Sequence, residues 1–205
     1  MKIWGRLSSI NVRKVVWAAQ ETGADFSRTD AGAAFGIVHT PEYLRMNPNA
    51  LVPVLQHGDV TLWESNVIVR YLAAGFPASG LLPTTLAQGF EAEQWMDWQQ
   101  TTCNPAGRNA FIQHIRTPAE QRQPELIRLS VAAMEPLMAL LDSHLATRRF
   151  MLGEQFSMAD IPLGCEVHRW FGLPQARPHW PHLERWFAEL QARPASRNAL
   201  DLTLS

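Results

Sequence analysis

The sequence predicts an α/β N-terminal domain followed by an all-α helical C-terminal domain, and three observations carry that prediction. Strand and helix patterns alternate through the opening third of the chain. A segment rich in Gly, Pro, Ser and Thr (GFPASGLLPTTL) then interrupts them, and only helical spacing follows it. The units are 1–76, a linker over 77–86, and 87–205, and 205 residues suffice for two such domains with substantial cores.

KIWGRL, residues 2–7, reads as an opening strand. Asn11, a good helix cap, precedes Val12, Val15, Val16 and Ala19, an apolar face at helical spacing that Gly23 brings to a stop. Phe26 to Thr29 reads as a second strand, parallel to the first because a helix separates them. AGAAFGIVH, residues 31–39, reads as a mobile loop. Thr40 caps a short helix with Pro41 at its first position, and Pro48 ends it. Leu51–Gln56 and Val60–Trp63 form a hairpin about His57-Gly58-Asp59, and a helix over 65–74 follows with Ser65 as its cap.

Helical spacing then marks 87–115, 124–146, 157–171 and 180–192, with Leu126, Leu129, Ala133, Leu137, Leu141 and Leu145 as the stripe of the second. Ser157 and Asp160 have the spacing of a capping box, with Phe156 as a hydrophobic staple. That pair is read as a structural helix start.

Composition excludes several classes of function. The chain is 46% hydrophobic and 18% charged with a net charge of −1, so neither nucleic acid nor an anionic membrane surface is an expected partner. No apolar run approaches a bilayer span, and the N-terminus lacks the apolar region of a signal peptide. Two cysteines, Cys103 and Cys165, are too few for a disulfide framework, which points to a cytoplasmic location. Cys165 and His168 share a helix face, but two further zinc ligands are missing, so both are read as packing and no metal is expected. No Walker loop, nucleophile elbow or dinucleotide fingerprint occurs.

Three constellations remain. Ser8, Ser9 and Asn11 stand where a strand gives way to a helix, so they either cap it or, with its free N–H groups, hold an anion. Val52-Pro53 opens a strand; a cis bond there would turn the Val52 backbone toward an extended peptide. Ser65 either caps its helix or joins that helix's N–H groups in holding a carboxylate, while Glu64 can pair an ammonium. Together these two match the headgroup of an α-amino acid.

Four ordered stretches, SSINVRKVVWAAQETG, TPEYLRMNPNALVPVL, GDVTLWESNVIVRYLA and FSMADIPL, span both domains. In them the chain resembles bacterial cytosolic glutathione S-transferases of the serine type, with a theta-like N-terminal motif. The resemblance implies a thioredoxin-like N-terminal domain, a cis Pro53, glutathione as co-substrate and a homodimer. It places the backbone of Val52, between Leu51 and Pro53, against the cysteinyl part of glutathione, and Glu64 and Ser65 at the γ-glutamyl end. Ser9 falls where the hydroxyl facing the sulfur belongs, with Asn11 close enough to assist or replace it. Leu51 departs from the basic residue or glutamine of many relatives, which leaves His39 and Arg45 as candidates for the glycine end. The tyrosine and cysteine types do not match, because no Tyr precedes residue 43 and no Cys precedes residue 103.

The activity so implied is attack of the glutathione thiolate on a small hydrophobic electrophile, in a pocket lined by Trp98, Phe111 and Phe171. Two alternatives stay open: a non-catalytic glutathione-binding or interaction module of the same fold, and a glutathione-dependent isomerase, dehalogenase or peroxidase.

Overall fold

The computed structural model describes residues 1–205. The N-terminal half runs β1 (Lys2–Trp4), α1 (Ile10–Glu21), β2 (Ser27–Thr29), α2 (Pro41–Met46), β3 (Val54–His57), β4 (Val60–Trp63) and α3 (Ser65–Gly75). The strands form one mixed sheet in the order β2-β1-β3-β4. β1 pairs parallel with β2, as the intervening helix requires, while β1–β3 and β3–β4 are antiparallel. This is a thioredoxin-like sheet.

Local boundaries differ from the sequence pattern where backbone geometry intervenes. β1 stops at Trp4, because Gly5 takes a φ of 147° and turns the chain away. β3 begins after Pro53 rather than at Leu51, so Leu51, Val52 and Pro53 stay outside the ladder. The cap of α1 is Ser9, with Asn11 one turn position inside the helix. The cap of α3 is Glu64 at a φ of 69°, and Ser65 is its first helical residue. Thr40 caps α2 as expected, its hydroxyl accepting from the Tyr43 N–H. The 31–39 segment carries a single 3₁₀ turn at Ala33–Phe35 and is pinned by buried Ala31 and Val38.

The second half is helical. α4 (Leu86–Trp98) and α5 (Asn104–Phe111) form one continuous rod with two π-helical stretches, Gln99–Cys103 and Ile112–Arg116. Such widened turns mark functional sites often enough to be noted. α6 (Pro124–Leu145), α7 (Asp160–Phe171) and α8 (Pro181–Gln191) complete it. The buried stripe of α6 is Ser130, Met134, Met138, Leu141 and Leu145, so the expected stripe holds at Leu141 and Leu145 while Ser130, Met134 and Met138 replace Leu129, Ala133 and Leu137, and Leu129 is half exposed. Two apolar stripes coexist on this helix, and its packing against α5 and α8 selects the methionine stripe.

One apolar cluster of 39 buried residues runs from Ile3 through Val15, Trp17 and Leu72 to Met96, Met138 and Trp186, so the two halves share a core. α1 lies at its centre, packed on α3 on one side and α7 on the other. It is buried from Val12 through Ala19, including Arg13 and Lys14, and not along one face alone. The linker joins this core as well: Leu81 is buried, and its carbonyl accepts from the Met158 N–H.

Asp160 ties the start of α7. Its carboxylate accepts from the N–H groups of Met151 and Ser157 at 2.9 Å each, from the Ser157 hydroxyl at 3.2 Å and from Trp186 Nε1 at 2.8 Å. Burial pushes its pKa up to about 6 against the pull of these four donors. Phe156 packs on Trp17 and Phe150. Asp160→Ala leaves three buried N–H donors unpaired, and a loss of about 3–5 kcal/mol is expected, read from urea unfolding beside Asp160→Asn, whose loss should be smaller.

Candidate active site

A groove of about 570 Å³ opens where the end of β1, the N-terminus of α1 and the segment before β3 meet α5 and α7. Gly5 makes that junction possible. A Cβ there would come within 2.4 Å of a Val12 methyl and 3.2 Å of the Val52 Cβ, so a side chain would push the three segments apart.

Six polar groups along this wall are left available. Ser9 stands at the cap position, yet its hydroxyl makes no capping bond. The N–H groups of Ile10 and Asn11, the first of α1, have no backbone acceptor and carry the positive end of the helix dipole. The Asn11 side-chain oxygen is buried without a partner. The Val52-Pro53 bond is cis, and neither the N–H nor the C=O of Val52 is paired within the chain. Its neighbour Leu51 is held by its carbonyl, which accepts from the Tyr43 hydroxyl at 2.7 Å and Asn47 Nδ2 at 2.9 Å. Burial pushes the Tyr43 pKa up to about 12, so this donor keeps its proton.

The groove wall brings together Ser9, Asn11, His39, Leu51, Val52 and Phe111 from among the expected site residues. Glu64 and Ser65 lie beyond it: the β3–β4 ladder ends at Val54 and Trp63, so Pro53 and Glu64 leave the same end of the hairpin together. Ser65 is buried there and Glu64 is exposed. Arg45 is on the outer face of α2, paired with Glu42 at 3.4 Å, and does not line the groove.

Two of the aromatic expectations need correction. Trp98 does not line the groove; it packs edge-on against Trp95, 5.3 Å between ring centres, because residues three apart on a helix share a face. Phe171 is also elsewhere, stacked on Trp180 at 6.3 Å and covered by Arg177. Phe111 does reach the groove, accompanied by Ile112.

Arg6, Arg108, Arg116, Arg169 and Asn104, which the sequence did not single out, also line the wall, as does the Cys165–His168 pair read above as packing. A net charge of −1 conceals the arginines, which come from four separate stretches of chain. Cys165 is buried, and desolvation raises its thiol pKa to about 12, so it stays protonated and unreactive. Arg13, beneath the groove, donates to the carbonyls of Leu7, Ala199, Leu202 and Thr203, holding the C-terminal segment down.

A polar chain runs from this wall across the domain junction. Arg169 pairs with Glu166, which accepts from Gln99 Nε2 at 2.8 Å. Gln99 in turn accepts from the Lys14 ammonium at 2.7 Å, and Gln100 and Asn66 also accept from it, at 3.1 and 3.3 Å. Lys14 is wholly enclosed, and burial lowers its pKa to about 8.

A thioredoxin-like sheet, a helical partner domain and a groove between them presenting an unpaired extended backbone define a protein that binds a small peptide at a domain junction. The N-terminal model of the glutathione S-transferase family matches residues 1–74 and its C-terminal model matches 124–189. Glutathione S-transferase GstB of Escherichia coli K12 is 38% identical over 205 residues, covering 99% of each chain. The crystal structure of the theta class glutathione S-transferase of Xanthomonas axonopodis pv. citri with glutathione bound superimposes with a TM-score of 0.96 at 41% identity, over all of this chain and 98% of that one. Elongation factor 1-gamma 3 of rice is 29% identical over 188 residues, which is 90% of this chain and 44% of that protein. The chain belongs to the glutathione S-transferase family.

The buried lysine gives the domain junction a pH dependence of definite sign. Between about pH 8, the folded value, and about 10.4, the value of a solvated lysine, the unfolded chain binds more protons. Stability contributed by this position therefore rises with pH through that window, and the cost of burial is complete below pH 8. Relative to Lys14→Met, the wild type should gain about 2–3 kcal/mol from pH 7 to pH 10.5, measured by urea unfolding of both at each pH.

Proposed function

We propose that this chain is a glutathione transferase in which Ser9 stabilises the glutathione thiolate for attack on an electrophile resting against Phe111 and Ile112. The observation that carries this reading is the pairing, in one groove, of an unpaired Val52 backbone with a Ser9 hydroxyl freed from capping. Val52 pairs with the cysteinyl unit as an added strand would. Glu64 takes the γ-glutamyl ammonium and Ser65, with the first N–H groups of α3, takes its carboxylate. His39, exposed on the wall, receives the glycine carboxylate.

A free thiol with a pKa of about 8.5 is only a few per cent ionised at pH 7. Lowering that by about two units means favouring the thiolate by roughly 2.7 kcal/mol. A hydroxyl donating to the sulfur and the positive end of α1 together have that size. Ser9 is therefore a donor and abstracts no proton. The thiolate then forms a carbon–sulfur bond while the leaving group departs with its electron pair, or while electrons shift onto a conjugated acceptor.

The cytoplasm is the compartment this reading implies, with both cysteines free and buried. No helix is long and apolar enough to cross a membrane. A homodimer is supported by a group of exposed apolar side chains, Trp63, Val67, Leu86 and Phe90, on β4, α3 and α4. Arg70 of α3 bridges those helices by pairing with Asp97 at 2.5 Å. Phe90→Glu should shift the sedimentation of the protein toward the monomer.

The likeness to elongation factor 1-gamma favours one other reading, a glutathione-binding module without turnover. Turnover decides between them. Ser9→Ala should lower kcat about tenfold to a hundredfold with KM for glutathione within about threefold, whereas Ser65→Ala should raise that KM by about tenfold. Equal turnover in the wild type, Ser9→Ala and Asn11→Ala rules out the assignment of the sulfur donor. Glutathione binding with no turnover of any electrophile supports the module.

A further inference from the structure

The half of the groove that receives the electrophile is not simply apolar. Among its wall residues are Arg6, Arg13, Arg108, Arg116 and Arg169, and not one Asp or Glu. Two of the five are already engaged: Arg13 with backbone carbonyls, and Arg169 with the buried carboxylate of Glu166 and the Asn104 side chain. Of the other three, Arg6 and Arg108 have no carboxylate partner. The side chains of Arg6 and Arg108 make no hydrogen bond within the chain, and Arg116 donates to the Ser8 carbonyl at 3.3 Å and to the carboxyl group of Ser205, the last residue of the sequence, at 3.5 Å.

The arrangement has a centre. Two guanidinium groups approach the Phe111 ring, Arg116 at 4.7 Å and Arg169 at 5.6 Å from its centre. An aromatic electrophile that stacks on Phe111 or Ile112 therefore meets positive charge at its edge. The Arg116 pKa is lowered by burial and by the like charges of Arg6, Arg169 and Arg108, which shows that the four fields overlap. Five guanidinium groups outnumber the carboxylates of Glu166 and Ser205 that face them, and this excess of positive charge favours an anionic ligand. Glutathione answers part of this demand, but its two carboxylates are assigned above to the start of α3 and to His39.

We propose that the second substrate is an anionic electrophile, an apolar body carrying a carboxylate or comparable anion, with Arg108 and Arg116 receiving the anion and Phe111 and Ile112 packing on the body. This rests on the transferase reading and replaces the expectation of a purely hydrophobic electrophile. Arg108 and Arg116 stand eight residues apart, with the widened turn at 112–116 carrying the second, so both project past Phe111 into the same space. They are specificity-determining residues for the transfer.

The test uses 4-chloro-3-nitrobenzoate and its methyl ester. In each, the thiolate forms the carbon–sulfur bond at the chlorinated carbon and chloride leaves with the bonding pair. Each kcat/KM is divided by the rate constant of the uncatalysed reaction with glutathione, which removes the intrinsic difference in reactivity. The wild type should favour the carboxylate by about tenfold or more at low ionic strength, a preference that shrinks as salt is added. Arg108→Gln and Arg116→Gln should each lower the carboxylate-to-ester ratio by about tenfold. Arg108 makes no contact that folding depends on, so its variant keeps the test sound if Arg116→Gln is unstable.

Equal normalised rates for the two chlorides in the wild type, or a ratio that neither variant changes, overturns the proposal. So does a rise in KM for glutathione that slows both probes alike, since the arginines would then serve the glutathione carboxylate. If neither chloride is turned over, calorimetric affinities of the glutathione-loaded protein for the two take the place of rates, and equal affinities overturn it. Calorimetry with glutathione alone separates the two levels of failure. Saturable binding without preference for the carboxylate removes this proposal only, whereas absence of glutathione binding removes the transferase reading with it.

Discussion

The structure depends on the enclosure of α1. This helix is surrounded by α3 and α7 and buries two cationic side chains that a surface helix would leave in water. Neither cation is left bare. Arg13 is solvated by backbone carbonyls of the C-terminal segment, and Lys14 by three side-chain amides from α3 and the rod of α4 and α5. A buried charge is tolerable only where hydrogen bonds replace its water, so both domains must be in place for α1 to be stable. The same helix presents Ser9, Ile10 and Asn11 to the groove. Domain packing and the geometry of the site are thus one problem with one solution.

Enclosure also explains why the site is built from groups that local structure leaves unused. Gly5 bends the chain so that α1 can close on the segment before β3, and Pro53 keeps Val52 out of the ladder. The Val52 amide and carbonyl then face the groove with no partner, an arrangement suited to an extended peptide and costly for an empty protein interior. Ser9 holds the cap position by its backbone alone, which frees its hydroxyl for other chemistry.

The opposite wall has a different character. It comes from α5, the widened turn after it, and α7, and it is cationic and aromatic together. A helical wall can exchange side chains at fixed backbone geometry, whereas the peptide-binding wall uses the backbone itself. On the reading proposed above, selectivity toward the second substrate belongs to the helical domain, which supplies Arg108, Arg116 and Arg169.

The sequence by itself determined the class of fold, the run of elements and the family, because period-two and helical apolar patterns, Gly58 in its turn and Thr40 at its cap are local properties of the chain. It also pointed to Ser9, Asn11 and Val52 through the junctions at which they stand. Tertiary structure decided the rest. Asn11 and Ser65 read as caps until the backbone showed Ser9 and Glu64 in those places. Trp98 and Phe171 have the chemistry of pocket walls, but in the folded chain both pack on other aromatic rings. The arginines of the groove were invisible for a plainer reason: charges at residues 6, 108, 116 and 169 become neighbours only after the chain has folded, and no local pattern records that meeting.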